Sequence, residues 1–199
     1  MKMKILALAA ALATLTATSG LAATVKLKVI GGQLHGASNV PVAGKLYDVE
    51  FIDGSCVSVF NGCDSVANFV FSTSAQAQAA ARSLLDVVFV DGPFGNFDSD
   101  PTLTAGLEAD GFAVIPYGLT PSKRAVYAAH AFNSFFSDFT TPMIVTSTQD
   151  FSTDLSRTLA RFTPSPVAAV PLPAGAVLLL TGLAGLGTLR ARRKAATAS

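Results

Sequence analysis

The sequence contains few of the side chains from which enzyme active sites and metal centres are usually built. It has only two histidines and two cysteines in 199 residues. It contains no His-Glu-x-x-His motif, Gly-x-Ser-x-Gly turn, Walker A loop or dinucleotide-binding glycine pattern. His35 lies in a glycine-rich segment, which favours a solvated side chain. His130 lies in an apolar segment, which favours a side chain packed in the core. The sequence therefore predicts a protein without enzymatic activity and without a cofactor.

Acidic side chains are absent from both ends of the chain. All thirteen Asp and Glu residues lie between residues 24 and 170, whereas six of the fourteen Lys and Arg residues lie outside that segment. The segment has eight basic and thirteen acidic residues, a net charge of −5. This charge argues against nucleic acid or an anionic membrane surface as its partner, and it permits a divalent cation.

The N-terminus has the parts of an export signal. Lys2 and Lys4 precede an apolar stretch at 5–15, and small residues follow. This order predicts a signal peptide over 1–23, cut after Ala23, with cleavage one residue earlier as the alternative. The alternative, a buried N-terminal helix, would not require basic, apolar and small residues in this order.

The segment 174–189 contains no charged residue. A helix over this run spans roughly 24 Å, slightly less than the ~30 Å hydrocarbon core of a bilayer. We therefore predict a short transmembrane helix. A helix in a soluble core would need a polar face, and this run offers only Thr181 and Thr188.

A basic cluster follows the apolar run. Its members are Arg190, Arg192, Arg193 and Lys194. Basic residues beside a membrane segment remain in the cytoplasm, so 190–199 is predicted to be a cytoplasmic tail and 24–163 an exported domain. The proline-rich segment 164–173 is predicted to be an extended linker that a protease can reach.

The order of these C-terminal parts resembles a known sorting signal. The linker ends in a short proline motif made of Val170, Pro171, Leu172, Pro173 and Ala174. A motif of this kind, then a marginal membrane segment, then a basic cluster is similar to the PEP-CTERM class in its VPLPA variant. The resemblance covers residues 170–194 and leaves the exported domain unassigned.

This resemblance implies a route. Proteins with such a signal are substrates of exosortase, a membrane protease of Gram-negative bacteria that cuts near the motif. It implies transient anchoring in the inner membrane, then release to the cell envelope or extracellular matrix, with extracellular polysaccharide as a candidate partner. The commoner motif has glutamate where this chain has Leu172, which leaves the cut site open. A plain single-pass anchor is the alternative.

Cys56 and Cys63 are the two cysteines of the chain. An exported protein meets an oxidising compartment, where cysteine pairs form disulfides. The Asn61-Gly62 pair supplies a tight turn between them. The sequence predicts a Cys56–Cys63 disulfide, with two buried thiols or half of a metal site as alternatives.

Alternating apolar and polar residues predict strands at 24–32 and 45–54, and shorter strands at 57–60 and 68–72. Turn residues separate these segments, which favours an antiparallel meander. Further strands are predicted at the following positions: 111–118, 141–148 and 155–162.

Two segments have helical character. The alanine-rich stretch 74–90 follows Ser72, Thr73 and Ser74, any of which can cap a helix, and 121–139 has a proline near its start. The predicted fold class is α+β, an antiparallel sheet with both helices on one face.

Two groups of carboxylates are candidates for chemistry. Asp98 and Asp100 lie at alternate positions of an Asp-rich loop, as calcium ligands often do, although such residues also stabilise turns on their own. Asp48 and Glu50 have a spacing that suits a glycosidase pair, although they equally form the solvated side of a strand.

The tail therefore decides the predicted function. We expect an exported envelope or extracellular-matrix protein with a non-enzymatic structural or binding role. Its predicted partners during sorting are an exosortase-like protease and the inner membrane. A hydrolase acting on matrix polysaccharide and a calcium-dependent adhesion module are the alternatives.

Overall fold

The computed structural model describes residues 24–166. The predicted signal peptide (1–23), the sorting motif (170–174), the apolar segment (174–189) and the basic tail (190–199) lie outside the described residues. Between residues 24 and 166, no helix has the length and apolar character needed to cross a membrane.

Residues 24–166 form nine strands and two α-helices. The strands are β1 (Lys26–Ile30), β2 (Gln33–Val42), β3 (Lys45–Ile52), β4 (Asp91–Gly92), β5 (Gly95–Asn96), β6 (Gly111–Leu119), β7 (Ala125–Asn133), β8 (Phe139–Thr146) and β9 (Arg157–Pro164). The helices are α1 (Cys56–Val59) and α2 (Ser74–Val87). Single 3₁₀ turns occur at Val66–Asn68, Pro101–Leu103 and Phe151–Thr153.

Seven strands form one mixed sheet in the order β1-β2-β3-β9-β6-β7-β8. The α+β class is consistent with this architecture, but the prediction of a purely antiparallel sheet is wrong, because β6 and β9 are parallel. After β8 the chain crosses one face of the sheet and inserts β9 between β3 and β6. This late insertion at the centre of the sheet produces the parallel pair.

One face of the sheet is covered by α2. The sheet residues in this layer include Ala113, Ile115, Ala129 and Ala131. The buried side of α2 consists of Ala77, Ala80, Ala81 and Leu84. These small side chains let the helix approach the sheet closely, and the apolar area removed from water stabilises the contact.

The other face carries a second core. Its sheet residues include Val114, Val126, Ala128 and Leu159. They pack against α1, the cysteine pair and Phe151. Since neighbouring residues of a strand point to opposite faces, α1 and α2 cover opposite sides of the sheet. The predicted arrangement of two helices on one face is wrong, because only the helix predicted at 74–90 is present, as α2, and α1 lies on the other face.

The predicted helix at 121–139 is also wrong, because this segment contains strand β7. Alanine has the highest helix propensity of all residues, but propensity is a weak preference that tertiary context overrides. Here β7 is flanked by β6 and β8, and its residues are buried on both faces. Ala129 and Ala131 belong to the layer against α2, where larger side chains would hold the helix away.

The β1-β2-β3 meander confirms the strands predicted at 24–32 and 45–54. His35 lies on β2 and is half-buried, so the expectation of a solvated loop is wrong. The short strands predicted at 57–60 and 68–72 are wrong as well. Ser55 caps α1 and Ser65 caps a 3₁₀ turn, each through a reciprocal capping box.

The remaining elements predicted within residues 24–166 are confirmed. Thr73 caps α2, and β6, β8 and β9 lie at the strands predicted for the second half. Strand β9 extends to Pro164, one residue into the predicted linker. Ser165 is buried and donates its N–H to the carbonyl of Leu46, so the folded domain closes at this residue.

Candidate functional site

The strand directions define two ends of the sheet. We call the end where β9 finishes the exit end, because the chain leaves the domain there. The opposite end, where β9 begins, carries the loop that joins β7 to β8, since β6 is parallel to β9 and antiparallel to β7. Residues 134–138, which form this loop, are what we call the aromatic tip.

Two adjacent phenylalanines protrude from the aromatic tip. The Phe135 side chain is 63% exposed and that of Phe136 is 86% exposed. Their ring centroids are 5.0 Å apart and the rings are nearly perpendicular. A single exposed apolar side chain is ordinary, but two large ones in edge-to-face contact form a continuous apolar surface, which is typical of a binding site.

The backbone of the tip is fixed by side-chain acceptors. The N–H of Ser134 donates to Asp138 Oδ1 at 3.0 Å, and that of Phe135 donates to Asp110 Oδ1 at 3.3 Å. The N–H of Phe136 donates to Ser134 Oγ at 3.2 Å. Three successive amides therefore have partners, and the phenylalanines are exposed on an ordered loop.

A cluster of carboxylates lies beside the phenylalanines. Asp138 lies close to both Asp98 and Asp110. Burial raises the pKa of Asp138 above its ordinary value, and the negative charges of Asp98 and Asp110 raise it further against the opposing hydrogen bond from Ser134. The tip thus combines an apolar surface with a concentration of negative charge.

We expect Asp138→Asn to raise the melting temperature at neutral pH by about 1–3 °C. A raised pKa means that the folded chain binds the proton more tightly, so stability falls as pH rises through the range above about 3.9. Asparagine keeps an oxygen for the N–H of Ser134 and removes the charge. Thermal denaturation at several pH values measures the effect, which should vanish below about pH 4.

Asp91→Asn is the matched control, because the same change at Asp91 should act in the opposite direction. The Asp91 carboxylate accepts from the N–H of Ser99, its hydroxyl and the N–H of Asp98, which lower its pKa. Its loss should lower the melting temperature at neutral pH. Equal shifts of the melting temperature, of the same sign, in both variants would contradict the claim that the surroundings of Asp138 disfavour its charge.

The predicted calcium loop is organised by turns. Asp91 ties the start of the loop to Asp98 and Ser99, and Asp100 accepts from the hydroxyl of Thr102. Among residues 24–166 there is no group of three or more His, Cys, Asp or Glu side chains placed to hold a metal ion. Calcium binding by Asp98 and Asp100 stays a prediction.

Chelation tests the calcium prediction. We expect the melting temperature to be unchanged by a chelator, because the loop's hydrogen bonds already hold it. If calcium is bound, the chelator should lower the melting temperature, and Asp98→Ala should abolish that sensitivity. The comparison of wild type and variant, each with and without chelator, separates turn stabilisation from metal binding.

An aromatic row extends from the tip into the sheet. Phe112, Phe132 and Phe139 follow one another with ring centroids 4.6 and 4.7 Å apart. Phe139 is partly exposed, while His130 lies at the buried end of the row, 5.3 Å from Phe112. The row therefore extends from the exposed Phe139, which follows the tip, to the buried His130.

The predicted disulfide is present. Cys56 and Cys63 are bonded, with their Cα atoms 5.7 Å apart. Both are buried, and they pack in the second core with Phe60 and Phe69. In the chain-entropy account, closing so short a loop stabilises the fold by roughly 2–3 kcal/mol. The bond fixes a short segment over the face that α1 covers.

The Asp48–Glu50 pair is engaged in other contacts. Glu50 accepts from Arg161 at 2.7 Å and from Lys28 at 3.4 Å, and the Arg161 hydrogen bond lowers its pKa. Asp48 accepts from the N–H of Asn39 and the hydroxyl of Ser165. Both line a surface groove of about 280 Å³. A carboxylate with a lowered pKa is a poor proton donor, so this geometry does not suit a glycosidase acid.

The sequence does not predict the aromatic tip, because its pattern favours one helix over residues 121–139. The run Asn133-Ser134-Phe135-Phe136-Ser137-Asp138 contained a signal, since small polar residues around adjacent aromatics are typical of a loop. No sequence pattern indicates that Asp98, Asp110 and Asp138 lie close together, because their proximity depends on the sheet topology.

Comparison with known protein families, with curated proteins and with solved structures finds no match to this chain.

Proposed function

We propose that the chain is an exported protein that a membrane protease sorts through its C-terminal signal, and that it has a non-enzymatic binding role in the cell envelope or extracellular matrix. One observation carries the proposal. The proline motif, apolar run and basic cluster of residues 170–194 follow one another in the order of a sorting signal. A membrane helix over 174–189 belongs to this proposal.

The end of the folded domain supports it. Strand β9 lies between β3 and β6, and the buried Ser165 follows it directly. Only residues 167–169 separate the described domain from Val170. Three residues span at most about 11 Å, so a protease that recognises the motif would act close to the exit end. The last strand of the domain ends at Pro164, six residues before Val170.

The disulfide supports export. Disulfides persist in oxidising compartments and are rare in the cytosol. The Cys56–Cys63 bond is formed, and both sulfurs belong to the second core rather than to an exposed redox site. A structural bond of this kind fits a protein that folds after crossing the inner membrane.

The aromatic tip supplies the binding role. Aromatic rings stack on the apolar faces of sugar rings, and carboxylates accept hydrogen bonds from sugar hydroxyls. Phe135 and Phe136 offer such rings, and Asp98 and Asp138 offer such acceptors beside them. We therefore propose extracellular polysaccharide as the partner of the tip. The negative charge disfavours acidic polymers, so a neutral or amine-bearing chain fits better.

Mass spectrometry of the native protein, from cells and from medium, tests the sorting route. We expect a mature chain that begins after Ala22 or Ala23 and has lost the basic cluster. Recovery of the full C-terminus in the membrane fraction would leave a plain anchor as the explanation. The same spectra report the disulfide as an internal control.

Retention in the matrix tests the binding role separately. Phe135→Ser with Phe136→Ser should shift the processed protein from the matrix to the medium without altering either terminus. Ile144→Ser is the matched control, because Ile144 is also an exposed apolar residue, 58% accessible, but lies on strand β8. Equal retention of all three proteins would rule out the tip as the binding surface.

A further inference from the structure

The charged residues of the domain are segregated between the two ends of the sheet. Cationic residues lie at the exit end. Lys45 begins β3, and Lys123 and Arg124 lie in the turn between β6 and β7. Lys26, at the start of β1, lies toward the same end, because β1 runs in the direction of β3.

Acidic residues concentrate at the opposite end. Asp53 directly follows β3, while Asp110 and Asp138 directly precede β6 and β8. Asp154 lies just before β9, where it pairs with Arg157 at 3.0 Å. The exit end also contains one carboxylate, Asp48, which accepts hydrogen bonds from Asn39 and Ser165. The net charge of −5 therefore hides a net positive exit end and a negative tip. In the middle of the sheet, Lys28 and Arg161 both form ion pairs with Glu50.

The cations of the exit end are held on two tight turns. The β2–β3 turn places Ala43 and Gly44 at φ values of 48° and 80°, as a two-residue hairpin turn requires, and Lys45 follows it. In the β6–β7 turn, the N–H of Lys123 donates to the carbonyl of Thr120, and the N–H of Thr120 donates to the carbonyl of Ala125. Lys45, Lys123 and Arg124 are all exposed.

We infer that the exit end binds the anionic headgroups of the membrane that holds the tail, so that the domain is oriented before cleavage. This inference rests on the proposed function. Two observations select the partner: the cations lie at the end from which the chain continues, and eight residues later that chain enters the uncharged run 174–189. Eight residues reach at most about 28 Å, which keeps the exit end near any bilayer the tail occupies.

The expected strength follows from the number of cations. Each Lys or Arg close to an anionic surface favours the docked state by about fivefold. Lys45, Lys123 and Arg124 together should favour it by about a hundredfold, and the effect should disappear in concentrated salt. The acidic tip would be repelled by the same surface, which reinforces a single orientation.

Energy transfer to the bilayer can measure the orientation. The full chain is reconstituted in vesicles of phosphatidylcholine, with or without phosphatidylglycerol, that contain an acceptor dye on a lipid. A donor dye is placed on Ala43→Cys at the exit end or on Ser137→Cys at the tip. The two native cysteines form a disulfide, so the added thiol is the one that reacts.

We expect stronger transfer from position 43 than from position 137, and the difference should grow when phosphatidylglycerol is present. The triple variant Lys45→Gln, Lys123→Gln and Arg124→Gln should abolish this effect of phosphatidylglycerol on energy transfer. A salt concentration of about 1 M should abolish it in the wild type, because the screening length falls to about 3 Å. Arg82→Gln on helix α2 is the control and should leave it unchanged. Transfer that is independent of phosphatidylglycerol, or stronger from position 137, would overturn the inference.

The outcome separates this inference from the proposed function. An oriented chain whose tail is never cleaved in cells would refute the sorting route and retain the docking surface. A chain that is cleaved in cells but shows no lipid-dependent orientation would refute the docking surface and retain the sorting route. A chain that does not associate with either kind of vesicle would overturn both the docking inference and the sorting route.

Discussion

Acidification from pH 6.5 to pH 4 should cost the folded domain about 3 kcal/mol through His130 alone. His130 is fully buried on β7, and neither ring nitrogen has a hydrogen-bond partner. Burial lowers its pKa from 6.5 to about 4, and the nearby charge of Arg157 contributes to the shift. In this pH range the unfolded chain binds the proton and the folded chain does not, so stability is lost as pH falls.

His130→Leu should remove most of this pH dependence and stabilise the domain at neutral pH. The leucine leaves no unsatisfied nitrogen beside Phe112 and Val114. A buried polar group without a partner costs about 1–3 kcal/mol, so its removal should stabilise the fold by up to that amount. Urea denaturation between pH 4 and 7 measures both effects. The same slope with pH in wild type and variant would contradict this account, because the slope would then come from the carboxylates.

His130→Gln distinguishes the charge from the packing. Glutamine is polar and neutral, so it should flatten the pH dependence as leucine does, yet leave the domain less stable at pH 7. If leucine and glutamine lower the stability equally at every pH, then His130 contributes through its shape against Phe112 and not through its proton.

Strands with a clear alternation could be predicted from the sequence. In β1 and β3 one side is solvated, so Lys26, Lys28 and Glu50 alternate with apolar residues and reveal the period of two. Strand β7 could not be predicted in this way, because both of its faces are buried and its alanines resemble a helix. What decides its conformation is the pairing with β6 and β8, which is not a local property.

The disulfide was predictable because both cysteines lie within eight residues of each other and no other cysteine competes. The aromatic tip depends on contacts between distant segments. Asp98, Asp110 and Asp138 belong to three different connections, and only the order of strands in the sheet brings them together.

The charge pattern has the same origin. Net charge, read from composition, argued against any anionic surface as a partner of the domain. The strand directions place Lys45 and Lys123 at the exit end of the sheet and Asp110 and Asp138 at the opposite end. A prediction about partners therefore needs the position of each charge as well as their sum.

Replacing both prolines of the motif, Pro171→Ala with Pro173→Ala, should abolish processing of the tail. Proline lacks a backbone N–H and disfavours both helix and sheet. The two prolines are therefore expected to keep the segment before the apolar run extended, as a protease requires. Alanine at both positions should let a helix grow from the apolar run through the motif, and the full-length chain should accumulate in the membrane. Immunoblotting of membrane and medium fractions measures this.

Neutralising the basic cluster should give a different failure. If Arg190, Arg192, Arg193 and Lys194 are replaced by glutamine, the tail loses the charge that keeps the C-terminus in the cytoplasm in the proposed sorting route. The glycine-interrupted apolar run is marginal as an anchor, so the tail should cross the membrane and the unprocessed chain should appear in the medium. Leu172→Glu is the control, because it restores the commoner form of the motif and should leave processing intact. Wild-type processing in both the proline and the basic-cluster variants would refute the sorting signal and leave residues 174–189 as a plain anchor.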